Sequence, residues 1–102
     1  MSEQALATPT YTVWIGGKTR RGSAEQILLR IRDNARSDSK LRDLDIQEYA
    51  ATLISDAPYF FPDGKVPEFL EARQFASQYD QALEYLAAMP ASGVRILSRR
   101  AP

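Results

Sequence analysis

The chain has 102 residues, of which 44% are hydrophobic and 25% charged, and its 13 basic and 13 acidic residues leave no net charge. This length and composition indicate one soluble domain with a single hydrophobic core. Because no run approaches the roughly 18 consecutive apolar residues of a membrane-spanning helix, and the first residues lack the features of a secretory signal, we expect a cytoplasmic protein that does not contact a membrane.

Two residue types that carry much of enzyme chemistry are absent, since the sequence contains neither histidine nor cysteine. Their absence excludes thiolate nucleophiles, imidazole acid–base catalysis and nearly every transition-metal site. We therefore expect a protein that is not an enzyme and that uses no cofactor and no metal ion.

The chain divides into three segments by composition. Residues 1–9 are small and polar and end at a proline, which predicts a disordered leader. The folding signals that follow predict one globular domain over residues 10–98. In this interpretation, residues 99–102 form a short basic tail.

The segment "VWIGGKTRRG" contains the letters GGKT, which also end a nucleotide-binding phosphate loop. That loop has the pattern G-x-x-x-x-G-K-[ST], and its glycines let backbone amides approach the phosphates. Here Thr12 occupies the first glycine position, inside a β-branched and aromatic run over residues 11–15 that is typical of a strand. The signal for a helix start falls later, at Ser23, whereas a phosphate loop needs its helix to begin at Lys-Thr. The segment therefore predicts a turn between two strands.

A Gly-Gly pair is a favourable two-residue hairpin loop because both positions accept a positive φ without steric cost. With this loop, Ile15 pairs with Lys18 and Trp14 pairs with Thr19, and the second strand becomes a charged edge that resists aggregation. A longer loop would shift the register by one residue and exchange the two faces. The sequence thus predicts a hairpin over residues 11–21 and leaves open which of its faces is buried.

Three helices are predicted after the hairpin. Ser23 with Gln26, and Asp45 with Glu48, have the spacing of a capping box at the start of the first two. The third is predicted over residues 67–88, since proline suits a first helical turn. A final strand follows in "GVRIL". These elements predict an α+β fold, in which a small antiparallel sheet made of the N-terminal hairpin and the C-terminal strand packs against three helices.

Three acidic residues of the predicted third helix, Glu71, Asp80 and Glu84, are the available candidates for paired catalytic carboxylates. The same helix face also carries several glutamines. We therefore predict that these acids belong to a solvated polar face and have no catalytic role.

The aromatic loop, residues 58–62 with the sequence PYFFP, is the most suggestive remaining element. Tyr59, Phe60 and Phe61 either cover the core or form an exposed apolar patch, and such a patch would favour a protein partner. We favour burial against the core, although the sequence does not decide whether the loop is exposed. Leu29 lies away from the apolar stripe of the first helix and is a second candidate for a partner surface.

Charge is unevenly distributed along the chain. Residues 18–42 hold eight basic and three acidic residues, whereas residues 43–84 hold nine acidic and two basic residues. The basic part suits an anionic partner, although the two halves of the protein, or two copies of it, can also pair with each other. The candidate contacts to an anion or a nucleic acid are Lys18, Arg20, Arg21, Arg32, Arg36 and Arg42.

These observations favour a small protein-interaction or assembly module, whose partner is another protein or a second copy of the chain. The alternative is a nucleic-acid-binding accessory protein that uses the basic region over residues 18–42. In that case the rings of Tyr11 and Trp14 stand beside the basic groups and serve for base stacking.

Overall fold

The structure, a computed structural model, describes residues 8–36 and 39–101. Within these residues, one antiparallel sheet contains β1 (Thr10–Ile15), β2 (Lys18–Gly22) and β3 (Val94–Arg100). Its strand order is β2-β1-β3, so β1 lies in the centre and β2 and β3 form the edges. Together with the helices, this sheet confirms the predicted α+β fold.

The hairpin between β1 and β2 has the predicted register, with Ile15 paired to Lys18 and Trp14 paired to Thr19. Its two-residue loop places Gly16 at a φ of +57° and Gly17 at +87°. Glycine adopts these values easily because it has no Cβ atom. The glycines of the GGKT segment therefore close a hairpin, and no helix begins at its lysine and threonine.

The helices follow the hairpin and are separated by turns and loops. Their bounds are α1 Ala24–Asp33, α2 Ile46–Asp56, α3 Glu68–Glu71 and α4 Gln78–Ala88, with 3₁₀ turns at Lys40–Asp43 and Ala57–Phe60. Among the described residues, no helix is long and apolar enough to cross a membrane.

Both predicted capping boxes are confirmed. The hydroxyl of Ser23 accepts a hydrogen bond from the N–H of Gln26, whose side chain accepts one from the N–H of Ser23. Asp45 and Glu48 make the same reciprocal pair at the start of α2. The backbone N–H of Glu48 donates to the Asp45 carboxylate and thereby lowers the pKa of Asp45.

The predicted third helix over residues 67–88 is wrong, since the structure has two helices, α3 and α4, in its place. The first of these helices ends at Glu71, and Ser77 begins α4 with an extended backbone and a hydroxyl that accepts the N–H of Asp80 at 3.2 Å. A serine followed three residues later by an acid is a recognised start signal for a helix. The apolar spacing through this region concealed that signal.

Helices α1 and α4 pack against one face of the sheet, and α2 packs against both of these helices. The largest fully buried side chains are Tyr11, Val13, Leu28, Leu70 and Leu83. The hairpin face that carries Tyr11 and Val13 is therefore the buried one, which answers the question that the sequence left open.

The ends of the predicted domain also change. β3 continues through Arg100, so Arg99 and Arg100 pair with Tyr11 and Thr10 inside the sheet and do not belong to a separate tail. Most of the predicted leader, residues 1–7, lies outside the described residues.

Candidate functional site

The sheet and the helices carry opposite charge. The three strands contain six basic residues and no acidic one, whereas residues 43–84, which include α2, α3 and most of α4, hold nine acidic and two basic residues. The basic residues of the strands are Lys18, Arg20, Arg21, Arg95, Arg99 and Arg100. The fold thus converts a separation of charge along the chain into a separation between two layers.

Within residues 8–36 and 39–101, one face of the sheet is not covered by the helices. Side chains alternate between the two faces of a strand, so Thr10, Thr12 and Trp14 point away from the helices while Tyr11 and Val13 point toward them. Trp14 is 39% exposed, in contrast to its fully buried neighbour Val13. The indole ring therefore lies at the surface of the central strand.

Arginines flank the exposed residues of β1. Trp14 pairs with Thr19 of β2 and with Arg95 of β3, and Thr12 pairs with Arg21. Directly opposite residues in antiparallel strands share a face, so both arginines lie on the exposed side of the sheet. We call this surface the open sheet face and define it by Thr10, Thr12, Trp14, Thr19, Arg21, Arg95 and Arg100.

β3 is irregular beside the open sheet face. Its pairing with β1 shifts between Thr12 and Val13, so that Leu97 has no partner and is 50% exposed. Beyond this bulge, Arg100 pairs with Thr10. An apolar side chain and a guanidinium thus extend the surface along β3, in addition to Trp14 and Arg95.

A polar pocket of about 520 Å³ lies between β2 and α1. We call it the arginine pocket; its lining residues are Thr19, Arg20, Arg21, Gln26, Ile27 and Arg30. None of the acidic residues that the structure describes lines it. Among the described residues, the guanidinium groups of Arg20, Arg21 and Arg30 make no ion pair or hydrogen bond with another side chain.

The other predicted basic contacts lie elsewhere. The guanidinium of Arg32 donates to the Asp33 carboxylate and, at 3.0 Å, to the carbonyl of Leu44, so it stabilises the connection between α1 and α2. Arg36 and Arg42 lie in that connection, after the end of α1. The structure therefore groups Lys18, Arg20 and Arg21 in the sheet and does not bring all six residues of the predicted set to one place.

The aromatic loop is divided between core and surface. Tyr59 is 84% exposed and Phe60 is 59% exposed, whereas Phe61 is only 6% exposed and belongs to the core. Leu29 is half-buried and lines a different pocket, on α1. Of the predicted partner surface, Tyr59 and Phe60 thus remain accessible together.

Phe60 borders an apolar cleft of about 310 Å³. The residues that line this cleft are Leu53, Phe60, Leu86, Met89, Ala91 and Ser92. The cleft has room for one apolar side chain of a partner.

A buried polar cluster connects the sheet to α4. The hydroxyl of Tyr11 accepts a hydrogen bond from Nε of Arg99 and donates one to the carboxylate of Glu84, both at 3.2 Å. The guanidinium of Arg73 lies 2.8 Å from the same carboxylate. Burial raises the pKa of Tyr11, so its hydroxyl stays protonated and acts as a hydrogen-bond donor.

The prediction of a solvated polar face is therefore wrong for Asp80 and Glu84, which are 3% and 8% exposed. Ser77 donates a hydrogen bond to Oδ2 of Asp80, while Oδ1 has no partner among the described residues. The cap signal at Ser77 is the sequence feature that could have revealed the partner of Asp80, whereas no local feature of the sequence indicated the burial of Glu84. The contacts among Tyr11, Glu84, Arg73 and Arg99 hold α4 against the sheet.

No protein-family model matches this chain, and no curated protein and no solved structure matches it either. Its function must therefore be inferred from its own surfaces.

Proposed function

We propose that this protein is a nucleic-acid-binding accessory protein that binds single strands on its open sheet face. The observation that carries the proposal is an exposed tryptophan, Trp14, on a central strand with arginines on both neighbouring strands and no acidic residue in the sheet. Aromatic rings bind the flat faces of unpaired bases, and guanidinium groups bind the phosphates.

The spacing within the sheet suits this role. Directly paired residues of antiparallel strands have Cα atoms about 5 Å apart, so Trp14 and Arg95 are close enough to contact the base and the phosphate of adjacent nucleotides. Arg21 and Arg100 extend the positive charge along both edges. A single-stranded nucleic acid that crosses the open sheet face can therefore stack a base on Trp14 while its phosphates contact the arginines on both sides.

The geometry favours a single strand over a duplex. Base stacking on a protein ring needs an unpaired base, because a duplex buries its base faces within its own stack. The acidic residues of the helical layer also repel phosphates. They restrict binding to the side of the molecule that carries the sheet.

A direct test measures the binding of a dye-labelled twelve-residue oligothymidylate by fluorescence anisotropy at several salt concentrations. Three phosphate contacts, to Arg21, Arg95 and Arg100, predict a slope of about −2 for log K against log salt. Trp14 is the single tryptophan of the chain, so its own fluorescence should be quenched as bases stack on it.

Matched variants separate stacking from charge. We expect Trp14→Leu to weaken binding about tenfold through the loss of one stacked base, and Trp14→Phe to retain most of the affinity. Arg95→Gln should weaken binding and make the salt slope shallower, whereas Arg42→Gln, with the same charge change in the α1–α2 connection, should have little effect. Equal affinity for duplex DNA, or no binding at low salt, would overturn the proposal.

A second candidate function, a protein-interaction module, is favoured by the exposure of Tyr59 and Phe60, of which Phe60 borders the apolar cleft. Aromatic side chains dominate interface hot spots. The acidic residues of the segment 43–84 suit a basic partner segment that inserts an apolar side chain into the cleft. Light scattering and a basic peptide library with Leu or Phe anchors test it. Binding that survives Tyr59→Ser together with Phe60→Ser contradicts this candidate, and self-association would identify a second copy as the partner.

A further inference from the structure

We propose that the arginine pocket between β2 and α1 is a binding site for a phosphate group. This inference goes beyond the open sheet face, because the pocket lies at the edge where β2 meets α1 and, although it shares Thr19 and Arg21 with that face, it adds Arg20, Gln26 and Arg30. Its ligand is a phosphoryl group together with part of the molecule that carries it, since the volume of about 520 Å³ exceeds the needs of the phosphate itself.

Arg20 faces α1 because of its place in the sheet. It pairs with Val13, whose side chain is fully buried on the helical side. Side chains of directly paired residues lie on the same face, so the stem of Arg20 lies on the side of α1 while Arg21 lies on the open sheet face. Arg21 lines the pocket from the strand edge. The pocket and the open sheet face therefore meet at Thr19 and Arg21.

The helix supplies the opposite wall, and its position is fixed. The capping box places the first turn of α1 directly after β2, with the side-chain oxygen of Gln26 bonded to the N–H of Ser23 at 3.0 Å. This bond leaves the amide nitrogen of Gln26 with two N–H donors. Arg30, one turn further along α1, also lines the pocket. One wall of the pocket is thus the capped helix α1, and the other is the paired strand β2.

The donors of the pocket match the chemistry of a phosphate. Three arginines, Gln26 and Thr19 line it, and no acidic residue among those that the structure describes does so. Guanidinium groups bind phosphate oxygens with paired N–H donors in a planar arrangement. The described residues of the lining include no aromatic ring, so the pocket suits the phosphoryl group and not a stacked base.

Electrostatics supports the same ligand. Three cations line one pocket without an ion pair or a side-chain hydrogen bond among the described residues. Of the two acids in α1, Glu25 does not line the pocket, whereas Asp33 lines the adjacent pocket and is already paired with Arg32 at 3.1 Å. The repulsion among these cations falls when a dianion binds between them.

Inorganic phosphate is the first probe, added to the full chain at constant ionic strength and followed by the backbone amide resonances in NMR spectra. We expect saturable shifts confined to residues 19–22 and 26–30. Arg30→Gln should weaken phosphate binding at least about fivefold through the loss of a charge-assisted donor, and Arg20→Gln should do the same. Arg42→Gln is the matched control and should leave phosphate binding unchanged.

The source of the phosphate is decided with two further probes, 5′-phosphorylated against 5′-hydroxyl oligothymidylate, and glucose 6-phosphate. If the 5′-phosphorylated oligonucleotide binds more tightly than the 5′-hydroxyl one, and Arg30→Gln abolishes this difference in affinity, the ligand is the end of a nucleic acid. Tight binding of glucose 6-phosphate without such a gain supports a small phosphorylated molecule.

Two results would overturn the phosphate site. One is shifts that do not saturate or that sodium chloride reproduces at equal ionic strength. The other is equal weakening by Arg30→Gln and Arg42→Gln, which would indicate only a diffuse effect of charge. Because Arg30 lies outside the open sheet face, the quenching of Trp14 by 5′-hydroxyl oligonucleotide should persist in Arg30→Gln. A failure of the pocket is therefore distinguishable from a failure of the proposed function.

Discussion

The guanidinium of Arg73 lies 2.8 Å from the carboxylate of Glu84 and brings a positive charge to an acid that α4 carries into the core. The same carboxylate accepts the hydroxyl of Tyr11 from the central strand. A loop, a helix and a strand therefore meet at one buried charge. Removing the cation leaves that charge with a hydroxyl donor alone, which costs more free energy than removing both charged partners.

We expect Arg73→Met to lower the free energy of unfolding by about 2 kcal/mol, which is less than for a fully buried pair because the Arg73 side chain is 33% exposed. Adding Glu84→Gln should restore part of this loss, since glutamine accepts the hydrogen bond from Tyr11 without a charge. Urea denaturation of the single and double variants measures the coupling, with Arg42→Met as the exposed control. Additive losses would show that the pair contributes no coupling.

The serine caps of α1 and α4 should differ in their contribution to stability. Ser23→Ala removes a hydrogen bond to one backbone N–H, and caps of this kind contribute about 1 kcal/mol. Ser77→Ala removes a cap and also the hydroxyl that donates to the buried carboxylate of Asp80. Thermal denaturation should therefore show a larger decrease in Tm for Ser77→Ala. An equal decrease would mean that the hydrogen bond to Asp80 contributes nothing.

The hairpin loop should tolerate substitution unequally. Gly17, at a φ of +87°, lies in the left-handed region, so we expect Gly17→Ala to destabilise the protein by about 1 kcal/mol. Gly16→Asn should change stability by less than about 0.5 kcal/mol, because asparagine suits the first position of such a loop. Chemical denaturation provides the comparison. Unchanged stability of Gly17→Ala would contradict the hairpin geometry.

The N-cap of α2, Asp45, should make the stability of the fold depend on pH. The N–H of Glu48 lowers the pKa of Asp45 in the folded protein, so the charged carboxylate stabilises the fold above its unfolded pKa. That stabilisation is lost as the pH falls through the folded-state pKa. Asp45→Asn keeps a capping oxygen but cannot titrate. The stability difference between wild type and Asp45→Asn should therefore shrink from pH 6 toward acid, and a constant difference would refute this assignment.

Features that depend on neighbouring residues were predictable from the sequence. The two glycines of the hairpin loop and the paired side chains of the capping boxes act within three or four residues of one another, so the hairpin and the starts of α1 and α2 were predicted. The register of β1 with β2 was predicted only for a two-residue loop, which the structure has. The cap at Ser77 is equally local. It was missed because apolar side chains continue at helical spacing on both sides of it.

Features that depend on distant residues were decided only by the tertiary structure. Tyr11 and Glu84 are 73 positions apart, and nothing near Glu84 in the sequence indicates that its carboxylate is buried. Phe60 and Phe61 are adjacent and chemically identical, yet only packing determines which one reaches the core.

The candidate site shows the same division. Its basic residues in β2 were recognisable from composition, because charge is a property of each residue by itself. The position of Arg95 beside Trp14 was not recognisable, because it requires β3 to pair with β1. This long-range pairing depends on the packing of the helices that separate the two strands in the sequence. The sequence by itself determined the hairpin, two capped helices and the separation of charge. Tertiary packing decided which face of the sheet stays open and which guanidinium groups share a pocket.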